Sequence, residues 1–474
     1  MNSQKPNIAV IGGGPGGYAA AFLAADLGMQ VTLIDKETHP GGVCLYRGCI
    51  PSKALLHVAH LITESREAKN WGVAFSEPNI HLDKLREWKT SVVQKMVGGL
   101  GQLAKMRKIQ FIQGTATLTG SQSVHVKHVS GEEQELQFDY IVLATGSRPL
   151  TIPTLNLDSP RVMDSTRALE LEEIPKSLLV IGGGYIGLEL GTVYSALGSE
   201  VTVVEMTPGL LPGVDRDLVR ILEARVKRMF HDVLLSTKVV ELHEEPNGIR
   251  VKFAGEKAAG MERVFDRVLV SVGRRPNTEN IGLENTRVEL DERGFVKVNA
   301  QRRTTDPHIF AIGDIAGNPM LAHKASHEGR VAVEAIAGHR VAFEPHAIPA
   351  VVFTDPEIAY CGLTEGEAKE KNIPVEVVRF PWGASGRATT LGRNDGVTKL
   401  LIDPQTERIL GVGIVGPGAG ELISEGVLAV EMAALATDLK LSIHPHPTLS
   451  ETLMEAAEMF FGQSTHVYRP KKKG

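Results

Sequence analysis

Two cysteines five positions apart, Cys44 and Cys49, lie in the segment GGVCLYRGCIPSKALLH, residues 41–57. The chain's other cysteine is the distant Cys361. In a reducing compartment structural disulfides are rare, so a close thiol pair reads as catalytic or metal-binding. Zinc would need further Cys or His ligands, and none lies at a suitable spacing. The spacing also departs from the C-x-x-C of redox motifs and zinc knuckles. Pro51 suits the first turn of a helix running through Lys53, Ala54 and Leu55. Cys49 then falls at a helix N-terminus, where the partial positive charge favours a thiolate.

Nucleotide chemistry is written twice. Residues 8–36 read IAVIGGGPGGYAAAFLAADLGMQVTLIDK, and residues 178–206 read LLVIGGGYIGLELGTVYSALGSEVTVVEM. Gly12, Gly14 and Gly17 align with Gly182, Gly184 and Gly187, and Asp35 aligns with Glu205, all at one offset. Such a shared frame is an internal repeat. Each copy predicts a strand, a G-x-G-x-x-G turn, a helix, and a second strand ending in an acid. The first glycine permits the turn, the second lets backbone approach a pyrophosphate, and the third packs helix on strand. The helix N-terminus presents free N–H groups to phosphate, and the acid is placed to accept from ribose hydroxyls. The chain is therefore expected to bind two dinucleotides.

These motifs imply an α/β protein with two Rossmann-like units. FDYIVLATGSRP, which carries Thr145, Gly146 and Ser147, closes the first unit. FDRVLVSVGRRPN, which carries Gly273 and Arg274, closes the second. The first unit is longer, by an insertion from His39 to about Gly101 that holds the cysteine pair. RRTTDPHIFAIGD, residues 302–314, predicts a strand returning to the first unit, followed by a helix from about Ala322. The expected domains are 1–149 with 277–346, then 150–276, then an α+β domain over 347–474 that opens with VVFTDPEIAYCG, VTKLLIDP and ILGVGIVG.

GG-x-C-x-x-x-x-GC-x-P-S-K resembles the redox-active signature of the pyridine nucleotide–disulfide oxidoreductases, and its flanks resemble the branch that oxidises dihydrolipoamide. The likeness runs from Asn7 to about Val467. It implies FAD in the first unit and NAD in the second, with a redox-active Cys44–Cys49 disulfide. By the same resemblance Cys44 exchanges with a dithiol substrate and Cys49 lies against the flavin as a thiolate. Lys53 approaches the flavin and pairs with Glu189. Asp314 holds the ribityl chain, Ala322 supplies backbone near the ring, and Asp35 and Ala116 line the adenosine side. Asp35 stands where glutamate is common, a shorter reach that should alter ribose contact only slightly. In the second unit Val239, Gly273 and Arg274 resemble NAD contacts, and Tyr185 resembles an aromatic gate over the nicotinamide.

Glu205 selects NAD over NADP. A carboxylate there bonds a free 2′-hydroxyl and repels a 2′-phosphate, and Met206, Thr207 and Pro208 supply no cation. The segment HPHPTLSE, residues 444–451, resembles the family's acid–base element. Histidine suits proton removal from a thiol near neutral pH, so His446 is expected to be the base, with Glu451 orienting it beside a helix starting at Thr448. His444 has no assigned role. His323 and His327, four apart, read as helix residues rather than ligands, and no metal is expected.

The family builds each active site from two subunits, which implies a homodimer through the third domain. The expected partner is the lipoyl domain of a dehydrogenase-complex acyltransferase, or the glycine cleavage carrier protein. Glutathione and trypanothione reductases prefer NADPH, and mercuric reductase needs a further C-terminal cysteine pair that is absent after Cys361. The remaining alternatives are another NADH-dependent disulfide reductase, a diaphorase, or a docking subunit without turnover. A net charge of −5 without a basic domain gives no sign of nucleic-acid binding. No apolar run reaches the roughly 18 residues of a membrane span, and the glycines that interrupt the first apolar stretch argue against a signal peptide. A cytoplasmic protein is expected, with Lys471–Lys473 as a solvated tail.

Overall fold

The computed structural model describes residues 5–256, 258 and 260–468; the Lys471–Lys473 run lies outside them. Both glycine repeats form the units that their sequence dictates. Strand Asn7–Ile11 leads into helix Pro15–Asp26 and strand Gln30–Asp35, and strand Ser177–Ile181 leads into helix Tyr185–Leu197 and strand Glu200–Val204. In each unit the two strands pair in parallel. Their residues are nearly all buried, as strands covered on both faces must be.

The first sheet is ordered Ile309–Ala311, Tyr140–Leu143, Asn7–Ile11, Gln30–Asp35, Gln110–Leu118, Ser123–His128, Glu133–Gln137. Its first five strands are parallel and the last two add an antiparallel meander. The returning strand Ile309–Ala311 thus completes the sheet from far along the chain, and helix Ala322–Ile336 packs beside Pro15–Asp26. The close approach is built on glycine, because a Cβ on Gly329 would stand 2.6 Å from the Gly16 carbonyl oxygen.

The second sheet is fully parallel, in the order Asp232–Leu234, Glu200–Val204, Ser177–Ile181, Arg267–Val270, Val162–Met163. A separate antiparallel sheet of Lys238–Glu245, Gly248–Ala254 and Glu262–Phe265 lies beside it. The chain enters and leaves this unit through an antiparallel ribbon, Ser147–Pro149 against Arg274–Pro276. The C-terminal part is a five-stranded antiparallel sheet backed by helices Ala419–Glu431 and Glu451–Phe460. Its core gathers Trp382, Phe380, Ile414 and Leu453, each at most 1% exposed.

The insertion that carries the cysteines is helical: Gly42–Arg47, Cys49–Glu67 and Leu82–Met106. Helix Cys49–Glu67 packs against Tyr185–Leu197 of the second unit, so the thiols are held at the junction of the two units.

Candidate active site

A cavity opens at this junction. The glycine turn of the first unit forms one wall. Gly12 has φ +104°, and a Cβ on it would meet the Ala144 carbonyl oxygen at 2.2 Å, so only glycine fits. Gly14 lines the cavity, and a Cβ there would find only the Gly42 Cα, at 4.0 Å. That free space, at the start of helix Pro15–Asp26, suits the approach of a pyrophosphate. Gly17 does not face the cavity; its missing Cβ lets the helix lie on the Gly12 carbonyl.

Asp35 braces its own turn. Its carboxylate accepts from the N–H of Gly13 and, at 2.9 Å, from that of Glu37, while burial pushes its pKa up against these bonds. Asp314, in the turn after strand Ile309–Ala311, accepts from the Ser147 hydroxyl at 2.5 Å. Arg274 in turn donates to the Ser147 hydroxyl and carbonyl, both at 2.7 Å. Thr145 is tied to Asn277, whose side chain donates to the Thr145 carbonyl at 2.9 Å. Thr145, Gly146, Ser147, Asp314, Ala322 and Asn277 all line the cavity. Ala116 does not; it sits on strand Gln110–Leu118, opposite Val126.

Cys44 and Cys49 face the same cavity as free thiols. Cys44 hydrogen-bonds to Cys49, and the two acidities are driven apart. That bond, followed by burial, raises the Cys44 thiol, whereas Cys49 is lowered to about 7, first by accepting from Cys44 and then by the charge of Lys53. Cys49 is the first residue of its helix, so the helix end adds to the preference for thiolate. Lys53 reaches Glu189 at 2.7 Å and lies 4.5 Å from the centre of the Phe353 ring. Glu189 is 3% exposed and its remaining bonds go to the Ser52 hydroxyl, at 3.3 Å, and to the Phe353 N–H, at 3.0 Å. One buried acid thus joins the cysteine helix, the second unit and the C-terminal part.

Tyr185 opens helix Tyr185–Leu197 and lines the cavity at 40% exposure; burial pushes its phenol up. The second glycine turn repeats the first. Gly182 has φ +106° with the Ser271 carbonyl oxygen 2.6 Å from its notional Cβ, Gly187 packs on the Gly182 carbonyl, and Gly184 faces open space. Glu205, 7% exposed, accepts from the N–H of Gly183 and of Thr207, both at 2.7 Å. Gly273 has φ +124° and accepts from the Leu150 N–H at 3.0 Å; Val239 sits on strand Lys238–Glu245, opposite Phe253.

His446 and Glu451 are not among the residues lining this cavity. The His446 Nδ1 lies 2.9 Å from Glu451 Oε1, with the imidazole side chain 72% exposed. Partial burial raises the Glu451 carboxyl, but the Thr448 N–H, at 2.8 Å, and the His446 ring outweigh it and hold it below its ordinary value. The expected helix start at Thr448 is corrected: the helix begins at Glu451, because Thr448 turns back to the Pro445 carbonyl and the Ser450 hydroxyl. His444 pairs with Glu425 at 2.7 Å. The His323 Nε2 bonds the Pro349 carbonyl at 2.8 Å. Among the described residues the group nearest to metal-ligand geometry is Asp215, Asp217 and Glu365, and the Lys399 ammonium holds all three within 2.9 Å.

Sequence reasoning missed Ser52, Asn277 and Phe353. Ser52 and Asn277 stand inside quoted motifs and could have been found there. Phe353 stands in the quoted segment VVFTDPEIAYCG, but nothing local there marks it, because only the tertiary fold brings it to Glu189.

Residues 6–329 match the pyridine nucleotide-disulphide oxidoreductase model, and residues 348–457 match the dimerisation domain of the same family. The chain belongs to the pyridine nucleotide-disulphide oxidoreductases. FAD and NAD are the cofactors of this family, and the two glycine turns and the cavity fit them. The chain is 48% identical to a dihydrolipoyl dehydrogenase of Vibrio parahaemolyticus over 99% of its own length and 98% of the relative's. It is 48% identical, over the same shares, to a dihydrolipoyl dehydrogenase of Haemophilus influenzae. Among solved structures, LpdA from Mycobacterium tuberculosis superimposes with a TM-score of 0.89 at 27% identity, covering 96% of this chain and 99% of that one. The HOCl-induced flavoprotein disulfide reductase RclA of Escherichia coli gives 0.85 at 27% identity, covering 96% and 99%. No described helix of this oxidoreductase is long and apolar enough to cross a membrane.

Proposed function

We propose that the chain oxidises protein-bound dihydrolipoamide to lipoamide and reduces NAD+ to NADH, as a homodimer serving a 2-oxoacid dehydrogenase or glycine cleavage complex in the cytoplasm. The observation that carries this reading is the thiol pair, with Cys49 lowered to about 7 beside the Lys53–Glu189 pair in the cavity.

Turnover starts with a disulfide between Cys44 and Cys49. A substrate thiol gives its proton to His446, whose other nitrogen is held by Glu451, and the thiolate attacks the Cys44 sulfur. The Cys44–Cys49 bond breaks and Cys49 leaves as thiolate. Its low pKa makes it the better leaving group of the pair. The second substrate thiol then displaces Cys44, which closes the lipoamide ring and leaves two electrons in the cysteine pair. Bound FAD supplies the passage of those electrons from Cys49 to NAD+. Lys53 stabilises the Cys49 thiolate, Asp314 and Asp35 orient the flavin nucleotide, and Glu205 selects NAD. The exposure of His446 and its place outside the cavity support a site completed by a second copy of the chain.

The test is NADH-dependent reduction of lipoamide by the purified holoprotein, alongside the Cys49→Ser variant. Lipoamide turnover that disappears in the variant while flavin is retained supports the proposal. Dye reduction without lipoamide turnover in the unaltered protein overturns it.

A further inference from the structure

Arg47 ends the short helix Gly42–Arg47, three residues after Cys44, and lines the cavity. Its Nη2 pairs with Glu37, which lines the same cavity, and its charge partly offsets the burial that raises the neighbouring Asp35 carboxyl. The guanidinium therefore lies beside the acid of the first glycine unit. Its Nε is buried and, among the described residues, has no hydrogen-bond partner. A buried charged donor left unpaired is costly, and a planar guanidinium is suited to phosphate oxygens. The Gly14 turn on the same cavity leaves room for such a group.

We infer that Arg47 is a further flavin-binding residue: it bridges Glu37 to the adenosine monophosphate arm of FAD, with Nε taking an oxygen of that arm. Because Arg47 and Cys44 share one six-residue helix, gripping the arm also fixes the helix that carries Cys44. This rests on flavin occupying the cavity, as the proposed function requires.

The experiment is reconstitution of apoprotein with FAD and, separately, with FMN, which lacks the adenosine monophosphate arm. It is read by the dissociation constant from flavin fluorescence, without turnover. Arg47→Met should raise the FAD dissociation constant about tenfold or more, as loss of a charged hydrogen bond does, and leave that for FMN unchanged. Arg47→Lys, which keeps the charge but lacks the planar fork, should give a smaller rise and decides the matter if the methionine variant does not fold. Unchanged FAD affinity in the variants, or equal losses for FAD and FMN, would overturn the inference. Unaltered apoprotein that takes up no FAD would instead sink the functional reading itself.

Discussion

Asp35 and Glu205 make the same pair of hydrogen bonds in the two glycine units. Each accepts from the middle glycine of its own turn, Gly13 or Gly183, and from the backbone N–H two residues beyond itself, Glu37 or Thr207. The acid at the end of the second strand is therefore a structural brace for the turn before it is a ligand for ribose. A carboxylate has lone pairs for both tasks.

Replacing Glu205 should have two effects. Glu205→Ala should reduce the preference for NADH over NADPH by about tenfold or more, because the charge that repels a 2′-phosphate is gone. It should also lower the melting temperature, because the Gly183 and Thr207 N–H groups lose a buried acceptor. Kinetic constants for both nucleotides, beside a thermal melt, check this. An unchanged nucleotide preference would remove Glu205 as the selector.

The reduced protein should show one thiol that reacts first. Cys49, lowered to about 7, gains thiolate as pH rises through that value, while Cys44 stays protonated. The alkylation rate by iodoacetamide should follow a single titration near neutrality, with label on Cys49. In Lys53→Met the curve should move to higher pH, because the stabilising cation is lost. Label divided equally between Cys44 and Cys49 would contradict the assignment.

His446→Gln should lower lipoamide turnover by at least about 10²-fold, as loss of a general base does, without loss of flavin. Mixing tests where that base works. Subunits carrying Cys44→Ser and subunits carrying His446→Gln are each inactive, yet in hybrid dimers one site has both residues intact if the sites are shared. Random pairing then restores about a quarter of the original activity. No recovery on mixing would place the histidine and the thiols of a working site in one chain.

Lys399 is 1% exposed and binds Asp215 at 2.6 Å, Asp217 at 2.8 Å and Glu365 at 2.9 Å. Lys399→Met should destabilise the protein by about 1–3 kcal/mol, because Asp215 loses its ammonium partner while Asp217 and Glu365 keep Arg379 alone. Burial raises Asp217, but Lys399 and Arg379 outweigh it and hold it at about 2. Its contribution is full above the ordinary aspartate value and is lost as pH falls through about 2. Urea melts from pH 5 downward should therefore show a steeper acid loss in the natural chain than in the methionine variant.

The glycine units were legible because each position is fixed by backbone sterics and short spacing, as the clash at Gly12 illustrates. The cysteine helix was legible because Pro51 and Gly48 mark its first turn. What pattern reading could not supply are contacts between distant segments. Glu189 is 136 residues from Lys53 and 164 from Phe353, and nothing local to any of them announces the triad. The Lys399 cluster is hidden in the same way, with Asp215 184 positions away. The boundary at Thr448 was misread because side-chain bonds from Thr448 to Pro445 and Ser450 build a turn where propensity alone allows helix.

The ribbon of Ser147–Pro149 against Arg274–Pro276 has an architectural consequence. The chain departs for the middle fold and comes home from it at adjacent, hydrogen-bonded points, so the backbone of that fold is spliced into its host at a single place. A nucleotide module of another specificity could be exchanged there without stretching the neighbouring sheets. Arg274, seated in the ribbon and bonded to Ser147, would have to travel with it.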